Sequence, residues 1–265
     1  MAKIITYIIF IILGFAPSII WLLFYLRKDA HPESKRMVLK IFLYGMLSAV
    51  LAGLIEIEIS FGLSFFGKNL LQKFPFLFFI VSQFIVIALV EELSKFLIVR
   101  EKVISNSEFD EPVDTMLYMI ITALGFAALE NILVLFLGKE PMLLQEAITI
   151  TSFRFIGATL LHALCSGTLG YFLALSFFEP KKRIRLIFKG IIIAVLLHGL
   201  FNTSIIIIEE SLVEKNYLFL TFSVIFLVIL LSGSAFFVSS GFKKLKKIKS
   251  ICVPSGHLPQ GDKLK

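Results

Sequence analysis

The apolar residues of this chain of 265 residues fall into seven long runs separated by short charged connections. A helix needs about 20 apolar residues to cross a hydrocarbon core of ~30 Å. The runs cover approximately residues 4–26, 40–63, 74–99, 114–137, 156–178, 187–208 and 216–240. The sequence therefore predicts an all-α fold, a polytopic membrane bundle of about seven transmembrane helices.

Composition agrees with a chain that lies in a bilayer. Hydrophobic residues make up 58% of the sequence and charged residues 17%, against roughly 45–50% and about 25% in soluble domains. These values exclude a soluble enzyme, a disordered chain and a disulfide-rich secreted domain. The two cysteines, Cys165 and Cys252, share no motif and predict neither a disulfide framework nor a zinc knuckle.

Basic residues are distributed unequally between the two sides of the membrane. The connections after spans one, three, five and seven carry 19 Lys and Arg, and the opposite side carries 5. The positive-inside rule then predicts an N-terminus outside and a C-terminus in the cytoplasm. The net charge of +7 thus reflects topology and contact with the lipid bilayer, and it predicts no nucleic-acid partner.

The chain contains no connection long enough for a soluble domain. We expect a single transmembrane domain over 1–242, with its functional core over about 74–208, and a basic cytoplasmic tail over 243–265. The segment 142–155 is mildly amphipathic and is either an interfacial helix or an early extension of span five.

Ionisable residues inside the spans are the strongest functional signal. Each costs at least ~2.5–3.5 kcal/mol on insertion scales, so such residues indicate function by default. The spans contain the following: Glu56 and Glu58, Glu91, Glu92 and Lys95, Glu130 with Asn131, Arg154 and His162, and His198 with Asn202.

The Glu-Glu-x-x-Lys motif at 91–95 predicts acid/base chemistry. Lys95 lies four residues after Glu91 and three after Glu92, within reach of either on a helix. Lys95 can therefore hold one carboxylate ionised while the other takes and gives protons, as a general acid/base requires. The alternative is an ion pair that only staples helices together.

The remaining polar residues of the spans include groups that can activate a water molecule. His198 and Asn202 are one helical turn apart, where Asn202 can orient the imidazole or, with His198, stabilise an oxyanion. Glu130 belongs to the same site or only hydrogen-bonds a neighbouring helix. Glu and His activate water directly or through a bound metal. The cofactor is accordingly either none or a divalent metal such as zinc, with Glu130, His162 and His198 as candidate ligands.

Four motifs taken in order resemble the PrsW family of intramembrane proteases. They are Glu-Glu-x-x-Lys at 91–95, Phe-x-x-x-Glu-Asn at 126–131, an Arg and then a His at 154 and 162, and His-x-x-x-Asn at 198–202. The stretch 109–114, Phe-Asp-Glu-Pro-Val-Asp, also resembles a loop of the family. The resemblance covers about residues 85–205. The family is similar to the group that contains the CAAX prenyl endopeptidases and bacteriocin-processing proteins, in which a His stands at the position of Glu130.

The resemblance implies an intramembrane endopeptidase of the bacterial cytoplasmic membrane. Its substrate would be a single-span membrane protein, by family an anti-sigma factor. Glu91, Glu92 and His198 would be catalytic. The supporting residues would be Lys95, Glu130, Asn131, His162, Asn202 and Arg154.

Span boundaries read from the sequence separate these groups in depth. Glu91 lies about 8 residues from the cytoplasmic end of span three, and His162 about 6 residues from the outer end of span five. Glu91 and His162 can share one site only if the span boundaries are shifted, a helix is broken or a water-filled cavity reaches deep into the bundle. Otherwise His162 does not take part in the reaction directly. The alternative functions are a proton-coupled transporter or channel using the same Glu and His, and a non-catalytic member of the family.

Overall fold

Helices account for nearly all of the described chain. The computed structural model describes residues 2–28, 33–67, 73–104, 106, 109, 111–137 and 142–248. The α-helices are α1 Ala2–Leu26, α2 Lys35–Phe66, α3 Pro75–Val81, α4 Val90–Lys102, α5 Pro112–Phe136, α6 Leu144–Ile156, α7 Ala158–Phe178, α8 Arg183–Val213 and α9 Tyr217–Leu245. A π-helical segment, Ser82–Leu89, joins α3 to α4, and a short 3₁₀ turn, Pro180–Lys182, precedes α8.

Within the described residues, seven helical spans are long and apolar enough to cross a membrane, which confirms the predicted bundle. The fifth span is longer than predicted, because α6 and α7 together cover Leu144–Phe178 and meet at a break at Gly157. Segment 142–155 is thus the extension of span five. Of the predicted tail, residues 243–248 are described, and Cys252 lies outside the described residues.

Two helices form the centre of the bundle. In α5 all residues from Pro112 to Ala128 are buried, and α7 is buried along most of its length. Helices with apolar residues all round are typical of such interior positions. α5 packs against α1, α2 and α7, and α7 packs against α5, α8 and α9. Polar residues of these two helices, such as Asn131 and His162, therefore lie inside the protein.

Close helix crossings bring α2 onto α5. A side chain at Gly45 would overlap the carbonyl oxygen of Thr122, and one at Gly125 would overlap the carbonyl oxygen of Phe42. Small residues at such crossings let two backbones approach, which is how helices associate in lipid. Beyond the crossing, Ala49 and Ala52 of α2 pack on Phe126 of α5.

We expect Gly45→Ala to lower the unfolding temperature in detergent micelles, because its methyl group meets backbone that cannot move without separating α2 from α5. Gly53→Ala is the matched control on the same helix, since a side chain there meets no atom within 4 Å. Alanine is the better helix former by about 1 kcal/mol, so Gly53→Ala should be neutral or stabilising. Equal effects of the two changes would contradict this crossing.

The π-helical segment lies directly before the acidic pair. π-Helical turns are rare in proteins, and those that occur are often found at functional sites. The wider turn changes which residues face the bundle. Phe84 of this segment packs on Gly199, where any side chain would overlap its ring. The bare backbone at 199 thus lets the segment before Glu91 lie against the part of α8 that carries His198.

Candidate active site

Five intramembrane side chains from three helices meet in one buried cluster. α4 contributes Glu91, Glu92 and Lys95, α7 contributes His162, and α8 contributes His198, and all five are buried. Positions i, i+1 and i+4 of α4 share the inward side of one turn, as the helical repeat predicts. The structure therefore brings together the acidic pair, its lysine and both intramembrane histidines.

Lys95 lies in the middle of this cluster. Its Nζ is 2.8 Å from Oε1 of Glu92, 3.3 Å from Oε2 of Glu91 and 2.9 Å from Nδ1 of His162. The ring of Phe126 lies 4.2 Å from the same nitrogen. An ammonium group has three N–H donors, so all of them are used. The sequence placed Lys95 within reach of either glutamate; in the structure it contacts both, and a histidine shares the contact.

Glu92 is enclosed and fully engaged. Its Oε1 accepts hydrogen bonds from Lys95 at 2.8 Å and from Nδ1 of His198 at 3.0 Å, and its Oε2 accepts one from Ser166 at 3.1 Å. The role of Ser166 was not predicted from the sequence. The available signal was its position one turn after His162, which places both on the same face of α7. Glu92 therefore fixes the positions of Lys95, Ser166 and His198.

His162 has a defined tautomer. Because an ammonium only donates, Nδ1 of His162 accepts from Lys95 and the ring proton is on Nε2. Nε2 donates to Oε2 of Glu130 at 2.8 Å, and Arg154 holds the other Glu130 oxygen at 3.0 Å. A carboxylate behind a histidine fixes its orientation and raises its basicity. The unprotonated nitrogen of His162 therefore faces the cluster.

His198 is oriented in the same manner. Its Nδ1 donates to the Glu92 carboxylate, so its unprotonated Nε2 faces inward, 3.8 Å from Oε2 of Glu91. The rings of His162 and His198 are nearly perpendicular, with centroids 5.0 Å apart. The inward-facing nitrogens of both histidines thus lie 3.8 Å from the same Glu91 oxygen.

Glu91 differs from Glu92 in its access and in its contacts. Its Oε2 lies 3.3 Å from Lys95 and 3.8 Å from the inward nitrogen of each histidine, whereas its Oε1 takes part in none of the hydrogen bonds that hold the cluster. Its side chain is 9% exposed, and that of Glu92 is fully enclosed. Glu91 is therefore the less enclosed member of the pair.

A second polar layer surrounds the cluster on one side. Nε of Arg154 donates to Oδ1 of Asn131 at 2.5 Å, and the Asn131 amide donates to Thr159 at 3.1 Å and to the carbonyl of Gly14 at 3.3 Å. The side chains of Glu130 and Arg154 are 33% and 18% exposed. The cluster opens to its surroundings at this pair.

The depth separation expected from the sequence was wrong, since His162 lies beside Glu91. α6 lengthens the fifth span, so His162 is about 18 residues after Leu144 and not near a membrane surface. Glu91 lies about 16 residues after Pro75, near the middle of its own span. Both shifts result from helical spans that are longer than the apolar runs.

A divalent metal fits one set of these residues. Among the described residues, ligand atoms of Glu91, His162 and His198 lie within 4.8 Å of one another. Ligands about 2.1 Å from a tetrahedral ion are roughly 3.4 Å apart, close to the 3.8 Å found from Glu91 to each histidine. Glu91 takes the place that the sequence assigned to Glu130, which instead orients His162. Because Lys95 already binds Nδ1 of His162, a metal ion would have to displace that hydrogen bond.

Three predicted residues lie outside these contacts. Asn202 is half-buried, one turn after His198, and makes none of the hydrogen bonds that hold the cluster. Glu58 is exposed on the outer face of α2. Glu56 is half-buried with one enclosed, unpaired carboxyl oxygen, and Glu91, Lys95 and Glu130 are its charged neighbours. Part of the stretch 109–114, at Asp110, lies outside the described residues.

Comparison with known proteins gives a consistent result. The family described as PrsW family intramembrane metalloprotease matches residues 33–231. Proteins named Protease PrsW from Clostridioides difficile and Geobacillus kaustophilus are each 30% identical, over 72% and 71% of this chain and 76% of their own length. Protease PrsW from Bacillus subtilis is 27% identical over 90% of this chain and 94% of its own. No solved structure matches the chain significantly.

Proposed function

The chain belongs to the PrsW family of intramembrane metalloproteases, and we propose that it hydrolyses a peptide bond of a single-span membrane protein with Glu91 as the general base. One observation supports this assignment above the others. Glu91 is the less enclosed carboxylate of the pair, and it faces two histidines that other carboxylates orient. An ion pair that only joined helices would need neither the second glutamate nor the oriented rings.

The proposed reaction uses the two oxygens of Glu91 differently. Oε2 accepts a hydrogen bond from Lys95, and Oε1 takes a proton from water. The water oxygen attacks the scissile carbonyl carbon, and Glu91 then returns the proton to the leaving amine as the C–N bond breaks. Nε2 of His198 lacks a proton in this tautomer and cannot donate. The Asn202 amide is therefore the proposed donor of the hydrogen bond to the oxyanion.

A divalent ion such as zinc would be held by Oε2 of Glu91 and by His162 and His198, which leaves Oε1 of Glu91 for proton transfer. It would act as a Lewis acid toward the scissile carbonyl. Glu130 and Glu92 would then orient the two histidine ligands, as carboxylates do behind metal-binding imidazoles. Both carboxylates already make these contacts with the protein alone.

We expect the protein purified in detergent to contain about one divalent ion per chain. His162→Ala should lose that ion, because it removes a donor from a set of three, and Glu58→Gln on the exposed face of α2 should retain it. Elemental analysis by mass spectrometry measures the content without any activity assay. Wild-type protein that contains no metal, and whose cleavage activity a chelator does not lower, would contradict the metal site. Lys95 would then be the cation in the cluster.

The side of the membrane follows from the proposed topology. With the basic connections in the cytoplasm, α5 begins at Pro112 on the cytoplasmic side, and Glu130 lies about 18 residues later, or ~27 Å at 1.5 Å per residue. The opening at Glu130 and Arg154 then faces the outer half of the bilayer. We propose that the substrate is cut there and, by family resemblance, that it is an anti-sigma factor.

Co-expression with candidate single-span membrane proteins tests the function. Wild-type protein should shorten its substrate near the outer membrane surface, and Glu92→Ala and His198→Ala should each leave it intact, since each change breaks the contact between Glu92 and His198. Cleavage that survives both changes would contradict the assignment. Proton flux in liposomes that both changes abolish, without any cleavage, would indicate a transporter instead.

A further inference from the structure

A groove unrelated to the candidate active site follows the first turns of α8. It encloses about 720 Å³ and is lined by alternating basic and apolar side chains. The basic residues are Lys181, Arg185 and Lys189, and the large apolar ones include Ile184, Phe188 and Ile192. Each set repeats every four residues, so each forms a row along one face of α8, with Lys181 in the 3₁₀ turn just before the helix.

The three cations of the groove have no carboxylate partner among the described residues. No described Asp or Glu lies within ion-pair distance of Lys181, Arg185 or Lys189. Lys182 shows the contrast, because it adjoins Lys181 in sequence but is paired with Glu179 at 2.6 Å. Lys189 lies over the ring of Phe172, which positions its ammonium without neutralising it. The groove therefore presents several positive charges to one anion.

The apolar row extends from these charges toward the membrane interior. Ile184, Phe188 and Ile192 are 72%, 62% and 54% exposed, and they lie on the helix that continues into span six. A small soluble anion would leave this apolar surface unused. A ligand with an anionic head and an attached hydrocarbon chain would cover both rows at once.

A second groove has the same construction. Arg36 and Lys40 lie at the start of α2, and Leu39, Leu43 and Leu47 follow at intervals of four residues around a space of about 510 Å³. Both helices begin on the side of the bundle with most of the basic residues. Basic pockets between or beside transmembrane helices on that side are typical sites for anionic lipid head groups.

We infer that the groove on α8 binds an anionic phospholipid. Its phosphodiester contacts Lys181, Arg185 and Lys189, and one acyl chain lies along Ile184, Phe188 and Ile192. The inference rests on the charges and the shape of the groove, and it does not depend on the proposed protease function.

Binding of phosphatidylglycerol to the full-length protein in detergent micelles tests this site. Native mass spectrometry would compare it with phosphatidylcholine, which has no net negative charge. Each Lys or Arg near an anionic membrane contributes about fivefold to affinity, so Arg185→Gln with Lys189→Gln should weaken phosphatidylglycerol binding roughly 25-fold. Lys182→Gln is the matched control and should bind like wild type, because Lys182 is already paired outside the groove.

Further measurements separate the outcomes. If the double variant does not fold, Lys181→Gln alone should still weaken binding about fivefold. Equal binding of the two lipids, or equal binding by the double variant and Lys182→Gln, would overturn the site. Inorganic phosphate that binds as tightly as phosphatidylglycerol would also overturn it, because the apolar row would then contribute nothing.

Discussion

Glu91→Gln is expected to lower the rate of substrate cleavage by about 10²–10⁴-fold, the usual contribution of a general base, while the fold remains intact. Glutamine has nearly the same shape and keeps an oxygen that can accept from Lys95, which lies 3.3 Å from the native carboxylate. An amide cannot take a proton from water. The rate is measured with wild type and variant reconstituted beside the same substrate, and the unfolding temperature reports the fold.

Glu58→Gln is the matched control for this prediction, because Glu58 lies on the exposed face of α2 and outside the cluster. It should cleave at the wild-type rate. Glu130→Gln should fall between the two, because Glu130 is the partner of His162, and weakening the carboxylate behind a metal-binding histidine typically costs about 10–100-fold in metal affinity or activity. A Glu91→Gln protein that cleaves as fast as wild type would refute Glu91 as the base.

Lys95→Met is expected to destabilise the protein by about 3–5 kcal/mol, the usual cost of removing one partner of a buried ion pair. Lys95 is fully buried and is the cation that contacts both Glu91 and Glu92. Methionine has a similar length but leaves the two carboxylates without their positive partner in a medium of low dielectric constant. Reversible unfolding in mixed micelles measures the free energy.

Lys182→Met provides the comparison, because its exposed pair with Glu179 should contribute only about 0–1 kcal/mol. A double-mutant cycle with Glu92→Gln sharpens the test. If the loss arises from uncompensated charge, Lys95→Met should cost less in the Glu92→Gln background than in wild type. Strict additivity would mean that Lys95 is not energetically coupled to Glu92 and stabilises the protein through its other contacts, for example with Glu91 or Phe126.

The spans and the candidate residues could be predicted because lipid makes the signals strong. Apolar runs of membrane length are unambiguous in a chain with 17% charged residues, and each ionisable residue within them is costly. The short-range ion pairs of Lys95 with Glu91 and Glu92 were also accessible, since they depend only on the spacing of one helix.

Contacts between spans could not be predicted in the same way. The expected separation of His162 from Glu91 failed because the sequence marks the end of an apolar run less clearly than the end of a helix, and α6 continues the fifth span by 13 residues. The hydrogen bond from Ser166 to Glu92 was likewise not predicted, because it joins two different helices. The different roles of Glu91 and Glu92 also could not be predicted from the sequence, because two adjacent glutamates differ only in the residues that surround them.

The sequence by itself determined that the chain crosses a membrane about seven times and which few polar groups it carries into the lipid, because hydrophobic length and charge are local properties. The tertiary structure decided that Glu91, His162 and His198 converge, that Glu92 and Glu130 orient the histidines, and that Lys95 lies between them. These relations depend on where helices break and how closely they cross, and each is set jointly by residues far apart in the chain.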